Sequence, residues 1–353
     1  MTTWNNTDYI QWIQDGCKVN NKVTILDLYN CNLTNLSENI DNLINLQELY
    51  CLFNQLKELP KTLGNLINLH VLHCHNNKLT KLPETLGNLI KLQELHCYNN
   101  KLTKLPETLG NLINLRKLYC PNNNLTELPT TIGNLINLQV LCCHNNNLTE
   151  LPKTLGNLIN LLELNCDTNK LTELPKTLGN LIKLQELHCY NNKLTELPQT
   201  LGNLINLRKL YCSNNKLIEL PKTLDNLIKL RELWCIYNKL TKLSISIIKF
   251  KHLEEIEYDT NIQLPINLQR FIDIINNKNN NNVHNNSIHE SLVDSINILL
   301  SKTITKNIDI VEDNILDNKT KSIIYNSIND KTVGALLVSF EELLVYVLEK
   351  IEN

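Results

Sequence analysis

From about Val23 to Leu268 the apolar residues fall in a pattern that repeats every 23 residues. Within one unit the segment Leu72-His73-Cys74-His75 alternates apolar with polar. Such alternation marks a strand with one buried face, so Leu72 and Cys74 are expected inward and His73 and His75 outward. One unit cannot bury its apolar face alone, so neighbours must stack and share a core. Strands stacked in this way form a parallel sheet lining a concave surface. Leu-Pro recurs at Leu59, Leu82, Leu105, Leu128, Leu151, Leu174, Leu197 and Leu220. The proline stops the sheet, and the Thr-Leu-Gly-Asn stretch behind it is expected to return along the convex side as turns or short helix.

The repeat also explains the unusual composition. Eight of ten prolines, seven of nine glycines and nine of twelve cysteines sit in one register. The unit reads L-P-x-T-L-G-N-L-I-x-L-x-x-L-x-C-x-x-N-x-L-T-x. A degenerate unit precedes the array (Val23, Leu26, Leu28, Cys31, Leu33) and another closes it (Leu253, Ile256, Tyr258, Asn261). In these residues the chain resembles the leucine-rich repeat family, whose motif is L-x-x-L-x-L-x-x-N/C-x-L. The Leu-Pro start and unit length are most similar to the Ras-group and plant intracellular subclass. The resemblance implies an α/β fold: a curved solenoid with a parallel concave β-sheet. The Asn-rich composition, with alanine occurring only as Ala335, also resembles repeat proteins encoded by giant DNA viruses of amoebae.

Two asparagine series run through the array. The motif asparagines, Asn54 and every equivalent to Asn261, are expected to satisfy backbone groups where the chain leaves each strand, because an amide carries donors and acceptors together. A second series, Asn42 to Asn226, is expected to do similar work on the convex side. The cysteines Cys51, Cys74, Cys97, Cys120, Cys143, Cys166, Cys189, Cys212 and Cys235 fall in an apolar slot. One thiol per strand suits neither zinc nor disulfides, so they are expected as small core hydrophobes, reduced and inaccessible. Cys142 should face outward and react first, while Cys17 is read as incidental.

Function is expected on the concave face, in the two columns flanking each inward cysteine. They hold five of nine histidines and six of eleven tyrosines. Candidate partner-binding residues are Tyr50, His73, His75, His96, Tyr98, Tyr119, His144, His188, Tyr190, Tyr211 and Trp234, since aromatic side chains bury area at low entropic cost. His73, His75 and His96 are the one constellation with metal-ligand chemistry. No fourth ligand is evident, so a solvated or partner-contacting cluster without metal is expected. Residues His96 and Tyr98 recur as His188 and Tyr190 four units later, a sign of block duplication that leaves some concave residues copied rather than selected.

Lys plus Arg number 34 against 36 Asp plus Glu, which argues against a nucleic-acid binder. No stretch approaches a membrane span, and Met1 to Gln14 lack the layout of a secretory signal, so an intracellular, cytoplasmic protein is expected, in host cytoplasm if viral. No nucleotide-binding, metalloprotease, hydrolase or kinase motif occurs, and no cofactor is implied. Residues 1–22 read as an N-terminal cap containing a short amphipathic helix, and 23–275 as the solenoid with its C-terminal cap. An Asn-rich linker follows at 276–286, then a small all-α module at 287–353 whose last helix offers a dimerisation seam, although packing inside a monomer is favoured. The leading function is a non-catalytic protein–protein interaction scaffold. Alternatives are an adaptor recruiting a second partner through the helical module, and an enzyme whose catalytic part is that module.

Overall fold

A computed structural model of the chain describes residues 2–280. The linker from 281 onward and the helical module at 287–353, with its dimerisation seam, lie outside the described residues. Twelve parallel strands form one sheet in sequence order. They are β1 (Thr2–Trp4), β2 (Val23–Asp27), β3 (Glu48–Tyr50), β4 (Val71–His73), β5 (Glu94–His96), β6 (Lys117–Tyr119), β7 (Val140–Cys142), β8 (Glu163–Asn165), β9 (Glu186–His188), β10 (Lys209–Tyr211), β11 (Glu232–Trp234) and β12 (Glu255–Glu257). Equivalent residues pair directly: Leu49 with Leu72, Leu72 with Leu95, His73 with His96. The register therefore repeats the sequence period, and the sheet lines the concave side of a solenoid.

Eight returning segments are five-residue 3-10 helices such as Lys61–Asn65 and Glu84–Asn88, each entered from its proline in an extended conformation. A 3-10 turn puts more rise into fewer residues than α-helix, which suits a short return path. Glycine at its fourth residue is required by close packing between units: a Cβ on Gly133 would lie 2.4 Å from the Thr154 carbonyl oxygen of the next unit. Beside it, Thr154 Oγ1 donates to the Thr130 carbonyl at 2.6 Å, and Thr177 repeats the bond to Lys153.

The motif asparagines behave as expected. Asn146 Nδ2 donates to the carbonyls of Cys120, Cys143 and His144, and its Oδ1 accepts from Leu125 N at 3.0 Å. Each side chain thus ties its own unit to the one before. At the closing unit Asp259, in the concave column, accepts from Tyr237 N and Asn238 N. On the convex side the bonds between units come mainly from a different position than the second series. Asn114, Asn137, Asn160 and Asn206 each donate to an isoleucine carbonyl of the preceding unit at 2.8 Å. A further asparagine position has left-handed backbone, Asn76, Asn99, Asn122, Asn145, Asn191 and Asn214, where short amide side chains are tolerated.

All nine ladder cysteines are fully buried in the Leu core, and burial raises their thiols well above the ordinary range, to about 12 for Cys74 and Cys212. Cys142 departs from expectation. It lies on the concave side yet is only 5% exposed, because the columns of neighbouring strands close over it. Of the twelve thiols Cys31 alone is not buried. A thiol reagent applied to the native protein is expected to modify Cys31 first and to reach Cys74 through Cys235 only with denaturant. Rapid native labelling of those ladder thiols would contradict the inward register.

Both solenoid ends are covered. The N-terminal cap contains β1 as well as the expected helix, here α1 (Asn6–Gln14). Asn5 caps α1, its Oδ1 accepting from Thr7 N and Asp8 N. Tyr9 and Trp12 are buried, whereas Ile10 and Ile13 lie on the exposed side. Cys17 is buried with the core, its Sγ 3.6 Å from Ser37 Oγ, and its backbone carbonyl accepts from Asn42 Nδ2 at 2.7 Å. At the other end α2 (Ile266–Asn280) buries Leu268, Phe271, Ile272 and Ile275. It continues five residues beyond Ile275, into the segment read as linker. No helix among the described residues is long and apolar enough to cross a membrane.

Candidate functional site

Because side chains alternate along a strand, the residues on either side of each inward Leu also face the concave surface. Three columns line it. Two are those expected from the sequence; the third was overlooked there and holds Glu48, Glu94, Lys117, Glu163, Glu186, Lys209, Glu232 and Glu255. Lys117 Nζ binds Glu94 Oε1 at 2.8 Å, and Lys209 lies 3.8 Å from Glu186 and 3.4 Å from Glu232. With six carboxylates to two lysines, this column gives the face a negative edge.

The candidate residues do not stand free in solvent. Strands spaced by about 4.8 Å bring neighbouring rings into contact, and most of these side chains are half-buried. Near the N-terminal end His73 meets Tyr50 edge-on at 5.0 Å, stacks on His96 at 4.0 Å, and His96 meets Tyr119 at 4.6 Å. In the adjacent column His75 stacks on Tyr98 at 4.1 Å. Near the C-terminal end His188 meets Tyr211 at 4.7 Å, and Tyr211 stacks on Trp234 at 4.2 Å. His144 lies between these two groups, beside the polar interruption formed by Cys142, Asn165 and Asp167.

Burial sets the electrostatics. It lowers His75 and His96 from 6.5 to about 4, with the neighbouring His73 imidazole adding to the effect, and it lowers His73 and His144 as well. The imidazoles are therefore neutral near pH 7. Burial lifts Asp167 to about 8, even though Oδ1 accepts from Tyr190 N at 2.8 Å. Burial and the Glu48 carboxylate raise Tyr50 to about 12, its hydroxyl donating to Glu48 Oε2 at 2.7 Å. Tyr211 is raised for the same reasons through Glu232, to which its hydroxyl donates. Cys142 is raised by burial and by Glu163, so it is no thiolate nucleophile.

The duplicated block acquires two different settings. Tyr98 stacks on His75, but the position equivalent to His75 beside Tyr190 is Asp167, and Tyr190 is 41% exposed. A second apolar feature was hidden within the repeat pattern. Ile67, Ile113, Ile159 and Ile205, on the turns entering the strands, each remain 51–57% exposed. Their periodic spacing reads as core, and only the turn geometry directs them outward.

The family description "Leucine-rich repeat region" matches residues 22–122 and 97–215, and "Leucine Rich Repeat" matches 206–227. No curated protein matches the chain in sequence. Among solved structures, an LRR protein of Leptospira interrogans is 32% identical, the match covering 72% of this chain and 76% of that one, with a TM-score of 0.50. The functional domain of InlJ from Listeria monocytogenes, which includes a cysteine ladder, is 31% identical over 66% of this chain and 53% of that one, with a TM-score of 0.52. The Arabidopsis receptor kinase HAESA, in complex with the peptide hormone IDA and the co-receptor SERK1, is 30% identical over 69% of this chain, with a TM-score of 0.59. The chain spans 42% of that receptor's length.

Proposed function

Because the chain belongs to the leucine-rich repeat family, we propose that it is a non-catalytic scaffold binding a protein partner on its concave face. The fold and its receptor-ectodomain neighbours support a protein-interaction role in general. One observation carries the choice of face. Rings from successive units stack into two runs, Tyr50–His73–His96–Tyr119 and His188–Tyr211–Trp234, beside the acidic column. Preordered rings lose little entropy on binding, and neighbouring carboxylates steer cationic groups. The partner is therefore a protein segment presenting apolar and Lys or Arg side chains, not a phosphate backbone. One reduced thiol per strand suits a cytoplasmic setting.

Alanine at Tyr98, Tyr119, Tyr190, Tyr211 and Trp234, one at a time, tests this reading against the partner recovered with the intact chain. A hot spot is expected to lose about 2 kcal/mol or more, roughly thirtyfold in affinity. Tyr211 is buried and Tyr98, Tyr119 and Trp234 are half-buried, so each variant's melting temperature is measured alongside to separate lost contact from lost fold. Tyr98 and Tyr190 should differ in effect, since one stacks on an imidazole and the other stands exposed beside a buried carboxyl. Unchanged affinity in all five variants rejects the concave face.

A further inference from the structure

We propose that His73, His75 and His96 form a binding site for a divalent transition-metal ion of the zinc class. His73 and His96 are register partners on β4 and β5, and His75 follows His73 on the same side. One potential ligand atom from each imidazole lies within 4.8 Å of the others. Three buried nitrogens of these residues, His73 Nε2, His75 Nδ1 and His96 Nε2, have no hydrogen-bond partner among the described residues. A buried polar atom left unpaired costs about 1–3 kcal/mol, so three of them at one spot is a debt that an incoming Lewis acid cancels. His75 is itself only 4% exposed, which keeps its lone pair from water.

The acidic column stands beside this triad. Glu94 Oε2 lies 3.7 Å from His96 Nε2, while its other oxygen is held by Lys117. Zinc bonds of about 2.0–2.2 Å place tetrahedral ligands roughly 3.3 Å apart, so the three imidazoles close by about 1.5 Å and water takes the fourth position. Closure requires His73 and His96, now stacked at 4.0 Å and 15°, to turn about their side-chain bonds. Stacking is exchanged for coordination. Imidazole ligands without thiolate suit Zn²⁺, and also Ni²⁺, Co²⁺ and Cu²⁺. The duplicated unit has no such set, because Asn165 and Asp167 stand where His73 and His75 would be.

The test uses the full, tag-free, reduced chain titrated with Co²⁺ and with Zn²⁺ against a competing chelator. One ion per chain is expected, with a cobalt spectrum of nitrogen and oxygen ligands, and zinc should raise the melting temperature in a concentration-dependent manner. His75→Gln and His96→Gln should each weaken zinc binding at least tenfold, and His252→Gln, exposed at the far end, should not. Should His75→Gln fail to fold, His73→Gln answers the same question from a half-buried position. Absence of a saturable site, a thiolate charge-transfer band, or equal affinity in the His96→Gln and His252→Gln variants overturns the proposal.

Discussion

Asn146→Ala is expected to destabilise the solenoid by about 2–4 kcal/mol, more than any substitution of an exposed concave residue. The side chain makes four hydrogen bonds: it accepts from Leu125 N and donates to the carbonyls of Cys120, Cys143 and His144. Leu125 N has no other acceptor among the described residues, and a buried donor left unpaired costs about 1–3 kcal/mol. The carbonyls suffer less, because Cys120 also accepts from Asn123 and Cys143 from Asn169. Asn146→Asp should be no better, since a carboxylate keeps the acceptor, loses both donors and buries charge. Urea denaturation measures the effect. A loss below about 0.5 kcal/mol would show that the ladder is not what joins the units.

Acid is expected to unfold the protein early, with about 2–4 kcal/mol lost between pH 6.5 and pH 4. The folded state keeps His75 and His96 neutral down to about 4, whereas the unfolded chain takes up protons below about 6.5. The unfolded state therefore binds more protons in that window, and stability falls as pH falls. His73 and His144 are shifted in the same direction. Glu48 and Glu94 oppose the shift of His73, while Lys117 reinforces it. Asp167 works the other way. Held at about 8 by burial, it retains a proton that the unfolded chain loses, so its contribution declines as pH rises from about 4 to about 8. One carboxyl does not outweigh two imidazoles. His75→Gln should flatten the profile, and a urea midpoint that rises on acidification would contradict this assignment.

The repeat made the solenoid legible before any coordinates: Leu and Cys in fixed register specify which strand face is inward. What escaped the sequence lies between strands or outside the period. The strand β1 pairs Thr2 and Thr3 with β2 but has no apolar alternation to announce it. The third concave column is not marked by the cysteines: it flanks the inward leucine before each cysteine, on the side away from the thiol. Cys142 reads as outward from its own strand; its burial arises from side chains one unit away on each side. The same cause turned an expected solvated cluster into stacked, neutral imidazoles, since ring contacts across about 4.8 Å depend on which residue each neighbouring unit supplies. The candidate residues were thus found, but their environment was not.

The binding face is tested most directly by photo-cross-linking in an extract of the cells in which the protein occurs. A photoreactive residue is placed at Tyr98, at Tyr190 or, on the opposite side, at Ile113. The expected result is one protein captured from both concave positions, displaced by excess unlabelled wild-type chain and absent from Ile113. Capture of that protein from Ile113 alone would contradict the concave face as the binding surface.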